Sequence, residues 1–102
     1  MPEFVAEQYF SRTDAAGAHR AGAAARHAAE QLAREGTDVE LIRSTFIPED
    51  ETCIFIYEAD SLESVRGAAE RAGLAFEHIA RAVAGMGDGP TAYDDGREVP
   101  LS

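Results

Sequence analysis

The sequence has no lysine, no tryptophan and a single cysteine, Cys53. One cysteine excludes a disulfide or a cysteine metal knuckle within one chain. No histidine or other base stands beside it in sequence, so Cys53 reads as a small core residue rather than a nucleophile. Cations are scarce: nine arginines face 19 acidic residues, for a formal net charge of -10. Phosphate backbones are bound by cationic side chains that neutralise them, so this balance argues against nucleic acid. It argues equally against docking on an anionic membrane surface. No stretch approaches the roughly 18 uninterrupted apolar residues of a membrane span. Met1-Pro2-Glu3 runs straight into a strand-like segment with no basic leader and apolar core. We therefore expect no signal peptide and a cytoplasmic protein. Also lacking are paired-histidine metal motifs, a Gly-rich phosphate loop and a Ser-His-Asp order.

The most apolar part of the chain is Val39 to Tyr57. Two runs, VELIRSTFI and TCIFIY, flank the short polar connector Pro48-Glu49-Asp50-Glu51. Such a pair reads as a β-hairpin. The connector lacks the spaced oxygen ligands and glycine of a calcium loop, so its carboxylates read as a solvated turn. Before the hairpin, Glu3 to Phe10 reads as a strand with Phe4, Ala6, Gln8 and Phe10 on one face and Val5, Glu7 and Tyr9 on the other. In the strand after the connector, Cys53, Phe55 and Tyr57 share a face, and Ile54, Ile56 and Glu58 share the opposite one. Both faces of both strands carry large apolar groups, which a sheet with one wet face does not need.

Ala15 to Glu35 is an Ala-rich helix capped by Thr13 or Asp14, with Gly36 as a left-handed stop. Ala18, Ala21, Ala25, Ala28, Ala29 and Leu32 form its inner stripe. Arg26, Glu30 and Arg34 recur at i+4 on the outer side, where opposite charges support a helix modestly. A second helix opens at Asp60-Ser61, buries Leu62, Val65 and Ala69, and stops at Gly73. Leu74 to Ala84 fits either period; we read a strand, because a helix has just ended and three strands leave an unpaired edge. Gly85 to Ser102 is rich in Gly, Pro and Asp and reads as a C-terminal tail or arm outside the core. The organisation is one domain, residues 1–84, followed by the tail, residues 85–102. The order β-α-β-β-α-β predicts an α+β, ferredoxin-like fold: an antiparallel sheet with two helices on one face. A second copy of the sheet is the simplest cover for the other face, giving a homodimer of the dimeric α+β barrel type.

The candidate site residues lie on the strands. Glu7 and Glu58 sit inside apolar strands, and Arg43 sits in strand two alongside Val39 and Leu41. If all three face away from the helices, a dimer would bury them, and they must pair or bind something. They read either as a Glu–Arg pair that fixes dimer register or as the polar floor of a cofactor or ligand site. Among the three histidines, His19 and His27 are eight residues apart on one helix. That is about 12 Å and roughly 80° of rotation, so they cannot share an ion within one chain. His27 with Glu30 and Gln31 is a weak surface clip. His78 stands apart on the last strand and is our candidate metal ligand, against the plainer reading of a structural histidine.

Phe4 to Tyr9 (FVAEQY), Arg43 to Cys53 (RSTFIPEDETC), Tyr57-Glu58-Ala59 and Glu70 to Phe76 (ERAGLAF) together resemble a family of small bacterial ferredoxin-like proteins of unknown physiological role. Its best-described member is a nickel-binding homodimer. The resemblance spans residues 2–84, and STF-x-P-x-DETC is its specific part. Members commonly have Pro where this chain has Ala75, and Arg more often than His at position 78. The resemblance implies the fold, dimerisation and nickel as metal, without assigning ligands. The expected function is thus a small non-enzymatic homodimer binding a divalent transition metal, nickel by resemblance. The alternative is a dimeric α+β barrel enzyme or small-molecule binder, such as a cofactor-free oxygenase or an isomerase, using the inter-sheet cavity.

Overall fold

A computed structural model describes residues 1–83. Its elements run β1 (Glu3–Tyr9), α1 (Ala15–Arg34), β2 (Val39–Ile47), a 3-10 turn (Pro48–Asp50), β3 (Thr52–Ala59), α2 (Leu62–Ala72) and β4 (His78–Ala82). The four strands form one antiparallel sheet in the order β2-β3-β1-β4. This is the expected ferredoxin-like β-α-β-β-α-β arrangement, and residues 78–82 are strand, as read. The expected tail, residues 85–102, lies outside the described residues.

The core forms because period-two apolar residues on the strands meet small residues on the helices. Phe4, Ala6, Leu41, Cys53, Phe55, Tyr57 and Ala59 turn one sheet face towards α1 and α2. Ala18, Ala21, Ala25, Ala28 and Ala29 from α1 and Val65, Ala68 and Ala69 from α2 meet them. Such short side chains let the helix backbone approach closely. At Gly22 even a Cβ would fall 2.5 Å from the Ser44 Oγ, so α1 needs glycine there unless Ser44 shifts.

Each helix ends as the sequence signals. The Asp14 carboxylate accepts from the Gly17 N–H at 3.0 Å, and the Ser61 hydroxyl accepts from the Ser64 N–H at 3.2 Å. Gly73 stops α2 in the left-handed region at φ 74°, where a side chain would be strained. Arg71 ties the two helices together with a forked ion pair to Glu35, at 2.8 and 3.0 Å. Its guanidinium holds the Glu35 carboxyl below its ordinary value. The predicted Arg26–Glu30–Arg34 ladder does not form an ion pair within 4.0 Å among the described residues. Arg26 instead donates to the Leu41 carbonyl at 3.2 Å.

That carbonyl marks an irregularity the period-two reading did not contain. The β2–β3 register slips between Leu41 and Arg43, leaving Ile42 as a bulge. Continuous alternation would put Arg43 on the helix side with Val39 and Leu41. The extra residue turns Arg43 to the opposite face and returns Ser44 and Phe46 to the helix side.

Cys53 is 1% exposed, and burial pushes its thiol above the ordinary value. Only the thiolate attacks. Ellman's reagent should therefore find about one slow thiol in denaturant and almost none in the folded protein. Prompt native reaction would show that the β3 core opens readily.

Candidate functional site

Each strand turns alternate residues to the face that neither helix covers. The register arranges these in rows across β2, β3, β1 and β4. The first row is Glu40, Glu58, Glu3 and Ala82; the second is Arg43, Ile56, Val5 and Ala80. The third is Thr45, Ile54, Glu7 and His78, and beyond it lie Ile47, Thr52 and Tyr9. Aliphatic groups occupy the centre, with Val5, Ile54, Ile56 and Ala80 half-buried. Charged groups frame them. Glu3, Glu7, Glu40, Arg43 and His78 are exposed, and Glu58 is half-buried.

All four sequence-predicted site residues therefore share this face, and the structure joins two of them. Glu7 on β1 stands directly opposite His78 on β4. Directly opposed residues have Cβ atoms about 4.5–5.5 Å apart, so a carboxylate and an imidazole can reach one ion between them. His78 itself is exposed on the edge strand β4. Glu77, next in sequence, points elsewhere: its carboxylate accepts from the Tyr9 N–H at 3.1 Å, while its own N–H donates to the Glu7 carbonyl at 2.9 Å. These two bonds pin the start of β4 beside Glu7 and set the height of His78 along β1. A groove of about 360 Å³ between α2 and β4 runs past the same corner, lined in part by Phe76, Glu77 and His78.

Arg43 and Glu58 do not join that pair. Arg43 opposes Ile56, and Glu58 lies one row further, between Glu3 and Glu40. Neither makes an ion pair among the described residues. Three carboxylates directly opposed across three strands repel one another. Glu3 and Glu40 were not among the sequence candidates. The parity of Glu3 with Glu7 was a readable signal for the first. Glu40 and Arg43 have opposite parity, and only the bulge at Ile42 brings both to this face.

Among the described residues of one chain, the donors at this pair stop at two. No group of three or more His, Cys, Asp or Glu is placed to hold an ion among the described residues. Histidine with carboxylate is nonetheless a donor set suited to borderline divalent transition metals. His19 and His27 are exposed on α1, away from this face. No helix among the described residues is long and apolar enough to cross a membrane.

Comparison with solved structures gives SCO4226 from Streptomyces coelicolor A3(2), with a TM-score of 0.60 and 21% identity over 78% of this chain and 94% of that one. At that identity the likeness speaks for the fold. No curated protein matches. The model of one family, described as "Nickel responsive protein SCO4226-like", matches residues 4–81, from the first buried residue of β1 almost to the end of β4. That span contains all four strands except their outermost residues Glu3 and Ala82, together with both helices, and the chain belongs to the SCO4226-like family.

Proposed function

We propose that this chain is a small non-enzymatic protein that binds a divalent transition metal, nickel, at the Glu7–His78 pair, and works as a homodimer. The observation that carries this reading is the opposition of Glu7 and His78 across β1 and β4 on the face that neither helix covers. The family description names nickel responsiveness, which agrees with an imidazole–carboxylate donor set. Two donors from one chain are too few for a firm site, and a second sheet facing the first would bring two more. Arg43 and Glu58 belong to the polar floor of the same face and would orient or balance what binds there. The half-buried Val5, Ile54, Ile56 and Ala80 supply the apolar centre such a pairing needs. Nickel held by Glu7 and His78 would supply charge neutralisation; the chain supplies the donors and their spacing.

Untagged protein, free of any added histidines, tests this directly. Titration calorimetry at neutral pH should show nickel uptake. Sedimentation with nickel present should give about twice the 10.9 kDa chain mass. Absence of uptake would refute the metal assignment, and a monomer at saturating nickel would refute the dimer.

A further inference from the structure

The strand order leaves β2 at one end of the sheet, with its outer edge unpaired among the described residues. The ladder fixes which backbone groups point there. Asp60 donates its N–H to the Asp38 carbonyl at 3.0 Å, while the preceding residue, Ala59, turns its N–H the other way, to the Pro2 carbonyl at 3.1 Å. Bonded and non-bonded pairs alternate along an antiparallel ladder. Asp38 and Glu40 therefore bond inwards to β3, and Val39 and Leu41 direct their N–H and carbonyl groups outwards. Arg26 shows the same direction, reaching from α1 to the Leu41 carbonyl at 3.2 Å. That leaves the Val39 N–H, the Val39 carbonyl and the Leu41 N–H without a partner among the described residues. They are the groups that a further strand would bond.

A groove of about 300 Å³ lies between this edge and the C-terminal half of α1. The helix gives it Ala29, Glu30 and Ala33, and the strand end gives it Asp38, Val39 and Glu40. The short alanine side chains leave room beside the edge for side chains from outside. Glu30, Asp38 and Glu40 are exposed carboxylates around the groove, against the single guanidinium of Arg26, which is turned to the Leu41 carbonyl. Two features limit the length of what can pair here. Arg26 occupies the Leu41 carbonyl, and the bulge at Ile42 interrupts the ladder immediately beyond it. A long strand from another sheet would run into both, whereas a short extended peptide ends before them.

We infer that the outer edge of β2 and its groove bind a short extended segment of a partner protein, basic at alternate positions, by strand addition. The segment exchanges backbone hydrogen bonds with Val39 and Leu41. Side chains of an added strand alternate between the two faces of the sheet. Those on the helix side enter the groove over Ala29 and Ala33, where a small apolar group such as valine fits. Those on the other side run beside Asp38 and Glu40, where lysine or arginine meets carboxylates. An acidic segment is repelled from the same place. The site is separate from the Glu7–His78 pair, because β2 and β4 are opposite ends of the sheet, and it does not rest on the metal reading.

The test titrates the isotope-labelled full chain with a blocked hexapeptide of alternating arginine and valine. Amide hydrogen exchange, read by NMR, should slow at Val39 and Leu41 and change far less at Glu40, whose N–H already faces β3. A glutamate–valine peptide should bind at least about tenfold more weakly, because it sets like charges together. Asp38→Asn combined with Glu40→Gln should erase most of that preference. Ala33→Arg, at an exposed helix position, should fold normally and weaken binding about tenfold by filling the groove with a like charge. The arginine–valine peptide with N-methylated amides keeps its charge but loses its backbone donors, and it should not bind. Equal binding by the methylated peptide would show charge alone at work and overturn the proposal. So would failure of the unmethylated peptide to bind, or binding that leaves exchange at Val39 and Leu41 unchanged. Protection of those two amides in the peptide-free chain would also overturn it, since another part of this chain or a second copy would then hold the edge.

Discussion

His78→Ala should remove most of the thermal stabilisation that nickel gives the wild-type chain. A ligand that binds only the folded state stabilises it by RT ln(1 + [L]/Kd), about 2.7 kcal/mol at a hundredfold excess over Kd. For a domain near 100 residues each kcal/mol moves the melting temperature by about 4–8 °C, so the shift should be of order 10 °C or more. Losing the imidazole leaves Glu7 as the sole donor of the pair. A hundredfold loss of affinity would cut the gain at the same nickel concentration to about 0.4 kcal/mol. Glu7→Gln should lose part of the gain, since an amide oxygen is a weaker donor than a carboxylate. His19→Ala and His27→Ala should keep it, because both residues are exposed on α1, away from the open sheet face. Melting must be compared at one protein concentration, because dimerisation itself raises apparent stability. Should His27→Ala abolish the shift instead, the ion sits on the surface clip with Glu30 and Gln31.

Two neighbouring substitutions in β3 should behave in opposite ways. Phe55 and Tyr57 are each 0% exposed on the helix side of the sheet, and both pack against Phe76, with ring centroids 4.9 and 6.1 Å away. Phe55→Ala removes a ring from a core whose other side is built largely of alanine and cannot expand to fill the gap. It should cost about 3–5 kcal/mol, a large share of the 5–15 kcal/mol typical of a domain. Urea unfolding should show this as a lower midpoint with little change in slope. Tyr57→Phe should cost nothing or stabilise. Its hydroxyl oxygen is buried and has no hydrogen-bond partner among the described residues, so the folded state carries a desolvation penalty of about 1–3 kcal/mol that phenylalanine avoids.

The same burial pushes the Tyr57 phenol above its ordinary value of 10.0. A group raised in this way contributes stability that is fully present below pH 10 and is lost as pH rises further, because only the unfolded chain ionises it readily. Tyr57→Phe should therefore also blunt alkaline unfolding. A loss of stability of more than about 1.5 kcal/mol in this variant would mean that the hydroxyl has a partner after all.

Much of this architecture was legible from short-range pattern. The faces of β1 and β3 followed from period-two alternation, the α1 stripe from three- and four-residue spacing, and the helix ends from Asp14, Ser61 and Gly73. Each of these depends on residues within a turn or a few positions of one another, where local sterics and capping decide. Glu7, Arg43, Glu58 and His78 stood out because they are polar or charged residues within, or on, apolar strands. What they do together was not local. Glu7 and His78 are far apart in the chain and meet only because β4 pairs with the free edge of β1 in one register, held by the bonds of Glu77. Arg43 reaches the open face only because the β2–β3 ladder slips at Ile42, and Arg26 leaves its helical ladder to bond the carbonyl beside that slip. A one-residue slip reverses every side chain beyond it, and whether it occurs depends on how well Ser44 and Phe46 pack under α1 when they are turned inwards. Pairing partners and register are set by contacts between distant segments, so the acidic row and the Glu7–His78 pair came into view only with the folded sheet.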